Sequence, residues 1–206
     1  MQDNYQLQAA QAKRLFCSYD AGKLAEKCRL RRDGDHLLCR FFGEPCWICC
    51  STGDITRLHD GVWVPADSHG EVMTLLDLIC DSREDRHLSG VYQNMQTFGH
   101  QVHQNLTEDQ KNPDALRFQQ DPQALRRACK ALGGVPFSPG DVAYAVPVFE
   151  DLSVVIQFFL GDEEFAPRLR YLWDLNALQY LKYETMFYAV GVLMERISEQ
   201  LGKKEQ

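Results

Sequence analysis

Apolar residues crowd toward the end of the chain. In Leu152-Ser153-Val154-Val155-Ile156-Gln157-Phe158-Phe159-Leu160 they fall on both alternating faces, and β-branched and aromatic side chains dominate. That pattern predicts a central strand, covered on both sides. Farther on, Asn176, Tyr180, Tyr183, Phe187, Val190, Met194, Ile197 and Leu201 recur at steps of three and four. One face of a helix repeats in this way, so the spacing predicts a single helix over residues 175–201. Residues 186–194 carry no charge, which predicts cover nearly all round that part. Asp174 stands at the N-cap position and Gly202 at the stop, while Gly191 inside the helix costs about 1 kcal/mol against alanine. Between strand and helix lies Gly161-Asp162-Glu163-Glu164-Phe165-Ala166-Pro167. Asp162 is placed to cap one helical turn through Phe165, and Pro167 ends that turn. Residues 169–173 read as extended.

The earlier chain is more broken. Helical spacing appears over residues 5–19 and again over 21–28. Residues 29–35 are charged and contain Gly34, which predicts a turn. Strands follow over 36–42 and 45–51, joined as a hairpin at Gly43-Glu44, then over 55–58 and 62–64. Val72, Leu75, Leu76, Ile79 and Cys80 place a helix over 68–80. The polar stretch 94–112 carries no legible element. Asp121-Pro122 opens a helix with a cap residue and then a proline whose missing N–H costs nothing there. Its buried face is Ala124, Leu125, Ala128, Cys129 and Leu132, and Gly133-Gly134 ends it. A strand follows over 142–149. Strands in two groups, with helices before, between and after, predict an α+β fold. The sheet is expected to be mainly antiparallel, with helices packed on it and the long C-terminal helix in the core. Residues 1–206 are expected to form a single domain, with a two-lobed arrangement of 1–90 and 115–201 as the alternative.

Composition narrows the function classes. The chain has 206 residues, 45% hydrophobic and 25% charged, with a net charge of −7. That charge argues against general affinity for nucleic acid or an anionic membrane surface. No apolar run approaches the roughly 20 residues that cross a bilayer. The first residues lack the basic and apolar regions of an export signal, so a cytoplasmic location is expected. The eight cysteines, at 17, 28, 39, 46, 49, 50, 80 and 129, are then expected to be reduced.

Four groups could carry chemistry. Cys46-Trp47-Ile48-Cys49-Cys50, facing Cys39 across the hairpin, contains a thiol spacing that suits metal when the backbone forms a knuckle. On a strand, however, Cys46 and Cys50 share one face and Cys49 takes the other, so buried apolar thiols are expected and no metal. His100 and His103 stand three apart without a carboxylate or thiol at ligand spacing, and read as loop residues. Gly133-Gly134 and Ser138-Pro139-Gly140-Asp141 follow a helix and lead to a strand, which suits a C-cap and a turn better than a phosphate cradle. No nucleophile–base arrangement is visible. The candidate ligand-binding residues are therefore acids: Asp162, Glu163, Glu164, Asp174 and Glu184. No cofactor is implied by any motif.

The ordered set Phe41-Phe42-Gly43, Leu132-Gly133-Gly134 with Gly140-Asp141, Gly161-Asp162-Glu163-Glu164-Phe165, Trp173-Asp174, and Tyr180-Leu181 with Glu184 covers nearly the whole chain. It resembles a bacterial and archaeal family catalogued as a domain of unknown function, number 3786. The resemblance implies a shared fold and an accessory role near corrinoid or one-carbon enzymes of anaerobes. Some members carry an N-terminal four-cysteine iron–sulfur module, and this sequence departs from them by beginning with a helix. Two functions stand side by side. One is a cytosolic binding or accessory protein for a protein or corrinoid-type partner, with an apolar patch around Trp47 or Trp63 as its mark. The other is a small-molecule enzyme whose pocket gathers Asp162, Glu164, Asp174 and Glu184, with or without a divalent metal.

Overall fold

The structure, a computed structural model, describes residues 4–98 and 113–202. His100 and His103 lie outside the described residues. Helices α1 (Asn4–Cys17) and α2 (Ala21–Lys27) precede strands β1 (Arg31–Asp33), β2 (His36–Phe41), β3 (Glu44–Cys49), β4 (Ile55–His59) and β5 (Val62–Pro65). After α3 (His69–Cys80) come β6 (Tyr92–Asn94), α4 (Pro113–Gln120), α5 (Pro122–Ala131) and β7 (Val135–Pro136). The chain ends in β8 (Val142–Phe149), β9 (Leu152–Phe159), β10 (Arg168–Asp174) and α6 (Tyr183–Gly202). The strands form one sheet in the order β5-β4-β3-β2-β8-β9-β10-β6, with β1 beside β2 and β7 beside β8. Every pairing is antiparallel. The fold is the α+β arrangement that the patterning predicts. β9 is the central strand expected, with Val154, Val155, Ile156 and Phe158 fully buried, and the long C-terminal helix buries Met186, Ala189, Val192, Leu193 and Ile197.

The two halves of the sheet meet at one residue pair, Phe41 opposite Phe149. Beside it the Phe42 N–H donates to the Val148 carbonyl at 3.0 Å. The hairpin turn out of β2 gives Phe42 a φ of +47° and Gly43 one of +79°. A left-handed backbone costs a phenylalanine about 1–2 kcal/mol. Complete burial of its ring offsets this with roughly 1.5–3 kcal/mol. Gly43 has a second constraint, since a Cβ there would stand 2.7 Å from the carbonyl oxygen of Leu132 at the end of α5.

Three sequence expectations need correction. The predicted helix over 175–201 begins at Tyr183; before it lies a 3₁₀ turn, Ala177–Gln179. Tyr180 is buried, its hydroxyl 3.5 Å from Asp151 and its ring 5.7 Å from the Arg86 guanidinium. The burial is genuine, but an irregular segment provides it. The helix starts where α3 offers an acceptor: the Asp77 carboxylate takes the Lys182 N–H at 2.9 Å and the Thr185 hydroxyl. Second, the charged turn predicted over 29–35 contains β1, an exposed edge strand with no apolar side to betray it. Third, the turn after Gly161 is capped by Asp162, which accepts from Glu164 and Phe165 N–H at 2.9 and 2.8 Å, but it is not a helix.

An ionic network ties α6 to the sheet and to α3. Arg57 on β4 and Arg196 on α6 are both buried. Arg57 reaches Glu44 at 2.9 Å, Glu199 at 2.6 Å and Glu71 at 3.5 Å. Arg196 pairs with Glu71, Glu44 at 3.6 Å and Glu199 at 3.3 Å. His59 Nδ1 closes the group, 2.8 Å from Glu44. Taking one partner from such a buried set costs about 3–5 kcal/mol, because it strands the remaining charge. None of the described helices is long and apolar enough to cross a membrane.

Candidate functional site

The five candidate acids stand in three places. Asp162, Glu163 and Glu164 are exposed on the β9–β10 turn, next to an exposed Phe165. The backbone N–H groups of Phe165 and Glu164 hold the Asp162 carboxyl below the usual carboxylate range. Asp174, at the end of β10, is buried and accepts from Ser89 N–H and hydroxyl, both at 2.9 Å, and from Gly90 and Asn176 N–H, both at 2.8 Å. Burial works against its charge, yet these donors win and keep its carboxyl low. It pins the 89–91 loop and the turn after β10; it does not cap the C-terminal helix. Glu184 is exposed in the first turn of α6.

Glu184 does border a cleft of about 370 Å³ between α1, α3 and α6. Asp77, Asp81, Lys182, Thr185 and Tyr188 share its walls with Leu15 and Leu76. The Lys182 ammonium bridges Asp81 and Asp77, the latter at 3.0 Å. The hydrogen bond to Asp81 comes first among the causes that push Lys182 well above the ordinary lysine range. A lysine so firmly protonated is neither a nucleophile nor a base near neutral pH. Burial raises the Asp77 carboxyl, and the neighbouring Asp81 adds to this. The cleft thus holds one acid from the sequence-predicted set and two that sequence reasoning passed over.

The opposite kind of surface lies on the first half of the sheet. Register places Arg31, Leu38, Trp47 and Thr56 in one row and Leu58 with Trp63 in the next. Residues of one row share a face, and so do residues two apart on a strand. Trp47 and Trp63 are 38% and 40% exposed, with ring centroids 4.4 Å apart. His36 packs on the other side of Trp47 at 5.7 Å. An open depression of about 610 Å³ runs from Trp47 along Arg29, Arg31, Arg40 and Pro45 toward Glu150. Arg86 already holds Glu150, at 2.9 Å. The face can stack a flat apolar group and meet negative charge at its margin.

The family described as Domain of unknown function (DUF3786) matches residues 20–196. The chain belongs to this family. No curated protein and no solved structure matches it. In this DUF3786 chain the motifs that carry the resemblance have structural uses. Phe41-Phe42-Gly43 makes the seam of the sheet. Leu132-Gly133-Gly134 ends α5, with Gly133 and Gly134 N–H bonded to Lys130 and Cys129 carbonyls at 3.0 and 2.8 Å, so these N–H groups are not free for an anion. Trp173 is fully buried beside the Asp174 hub.

The DUF3786 thiols follow the strand reading only in part, since β3 ends at Cys49 and Cys50 lies half-buried in the turn beyond it. Cys46 is buried opposite Cys39, and the hydrogen bond between them and burial push the Cys39 thiol well up. Cys49, half-buried at the strand end, lies 3.2 Å from the Ser51 hydroxyl and 3.4 Å from Asp35. The hydroxyls of Ser51 and Thr52 hold its thiol below the usual range. All eight cysteines are free.

Proposed function

We propose that this DUF3786 chain is a non-enzymatic binding or accessory protein of the cytoplasm whose docking face is the Trp47–Trp63 side of the sheet. The carrying observation is that pair of exposed, mutually packed tryptophans, with a trough of arginines beside them. Exposed aromatic rings in contact are costly to leave in water and gain most when a partner covers them. The occupant is a protein or corrinoid-type partner with a flat apolar surface and negative charge at its edge. Its placing in anaerobic one-carbon metabolism is supported by family resemblance alone. The dispersal of Asp162, Glu164, Asp174 and Glu184 over three sites gives the enzyme reading no gathered acidic pocket.

The test uses the full chain and a Trp47→Ala/Trp63→Ala variant, which removes only half-exposed rings. A cobalamin is titrated into each while tryptophan fluorescence is followed. In parallel, both proteins capture partners from an anaerobic extract. Saturable quenching, or a stoichiometric protein retained by the parent chain and lost by the variant, supports the reading. Equal behaviour of the two proteins in both assays overturns it.

A further inference from the structure

Glu44, His59 and Glu199 bring one ligand atom each within 4.8 Å of one another, the one such trio of histidine, cysteine or acid side chains among the described residues. They come from the first residue of β3, the last of β4 and the end of α6. The arginines occupy the far side of both carboxylates: Arg57 meets Glu44 Oε2 at 2.9 Å and Glu199 Oε1 at 2.6 Å. Glu44 Oε1 and Glu199 Oε2 are left facing His59 Nδ1, at 2.8 and 3.9 Å; Glu199 Oε2 has Arg196 as a further, distant neighbour at 3.5 Å. The other imidazole nitrogen, Nε2, faces Asp60 at 3.5 Å. Carboxylates oriented from behind by cations, and a histidine backed by an acid, are the outer-shell pattern of metal sites. Charge agrees. Glu44, Glu71 and Glu199 face Arg57 and Arg196, three negative groups against two positive, so the group carries a surplus negative charge.

We propose that Glu44, His59 and Glu199 bind one divalent transition-metal ion, with Arg57 and Asp60 as outer-shell partners, and so clamp the C-terminal helix to the sheet. Two carboxylate oxygens and an imidazole nitrogen, without a thiolate, suit the manganese-to-zinc group; magnesium and calcium prefer oxygen alone. Bonds of about 2.0–2.2 Å let opposite ligand atoms stand at most about 4.4 Å apart. The widest separation in the trio, up to 4.8 Å, therefore closes by a few tenths of an ångström. Glu199, with 31% of its side chain exposed, is the member able to turn inward. The ion sits where His59 Nδ1 and Glu44 Oε1 meet at 2.8 Å without it, and water from the exposed side fills its remaining positions.

The test starts from full-length protein stripped with a chelator. Manganese binding is read from the loss of the free-ion electron paramagnetic resonance signal, and cobalt binding from its absorption spectrum. One ion per chain is expected, with a cobalt spectrum free of thiolate charge transfer and a raised melting temperature. His59→Ala and Glu199→Gln should weaken binding by at least about 100-fold, and Asp60→Ala by about 10-fold. His59→Gln, which keeps a hydrogen-bond donor toward Glu44 but is a poor ligand, guards against mere loss of folding. The proposal is overturned if His59→Gln folds and binds manganese as the parent chain does. It is also overturned if the parent chain binds no manganese, if cobalt shows thiolate ligation, or if magnesium stabilises as strongly as manganese.

Discussion

Removing the Asp174 carboxylate separates two readings of this residue by magnitude. As a helix cap it would contribute about 1 kcal/mol, the usual size of a lost N-cap. The structure gives it four donors instead, from Ser89, Gly90 and Asn176, at a site 1% exposed. A hydrogen bond to a charged group contributes about 1.5–3 kcal/mol, and such values do not add when the donors share one acceptor. Asp174→Ala strands three backbone N–H groups around a small void, so a loss of about 3–4 kcal/mol is expected. Asp174→Asn keeps the shape and one acceptor oxygen, and should cost about half as much. Urea unfolding at neutral pH, with the slope checked for constancy, reads the difference. The pH profile carries a second signature. The folded carboxyl is held below its ordinary value, so its contribution is fully present above about pH 4 and fades as pH falls through the lower folded value. The gap between parent and Asp174→Asn should therefore narrow in acid. A loss of about 1 kcal/mol or less for Asp174→Ala, or a gap that widens in acid, would refute the hub.

Other outcomes follow from the same contacts. Gly43→Ala should cost well over about 1 kcal/mol, since it meets both a positive φ and the Leu132 carbonyl 2.7 Å away; thermal melting checks this. Lys182→Met leaves the Asp77 carboxyl, already raised by burial, without its cation. A raised folded pKa means the ionised group opposes folding, so this variant should lose more stability at pH 8 than at pH 5. An aromatic disulfide reagent added to native protein should reach Cys49 first, because Ser51 and Thr52 lower its thiol. Cys129, raised by burial to about 12, should react only on unfolding, when eight thiols are counted in all.

What the sequence made legible was burial, and burial is only partly conformation. β9 and α5 were readable because their apolar patterns match one geometry and their ends carry Gly161 or Asp121-Pro122. Asn176 and Tyr180 also fell on helical spacing, yet Tyr180 is buried from an irregular turn held by Asp151 and Arg86. A pattern of apolar positions records which side chains are covered, and two backbones can cover the same ones. β1 was invisible for the opposite reason: Arg31, Arg32 and Asp33 are all exposed, so an edge strand left no hydrophobic trace. The acids make the distinction sharpest. Asp162, Glu163 and Glu164 are neighbours in sequence, and the first of them serves as the cap of a turn. The acids that converge are Glu44, Glu71 and Glu199, brought together by a β-hairpin register and the docking of α3 on α6. Arg57 and Glu199 are separated by 142 residues and stand 2.6 Å apart. Adjacency of carboxylates along a chain is thus evidence about local hydrogen bonding. Their convergence needs a shared face, which the register of β3 with β4, the docked α3 and the last turn of α6 supply for Glu44, Glu71 and Glu199.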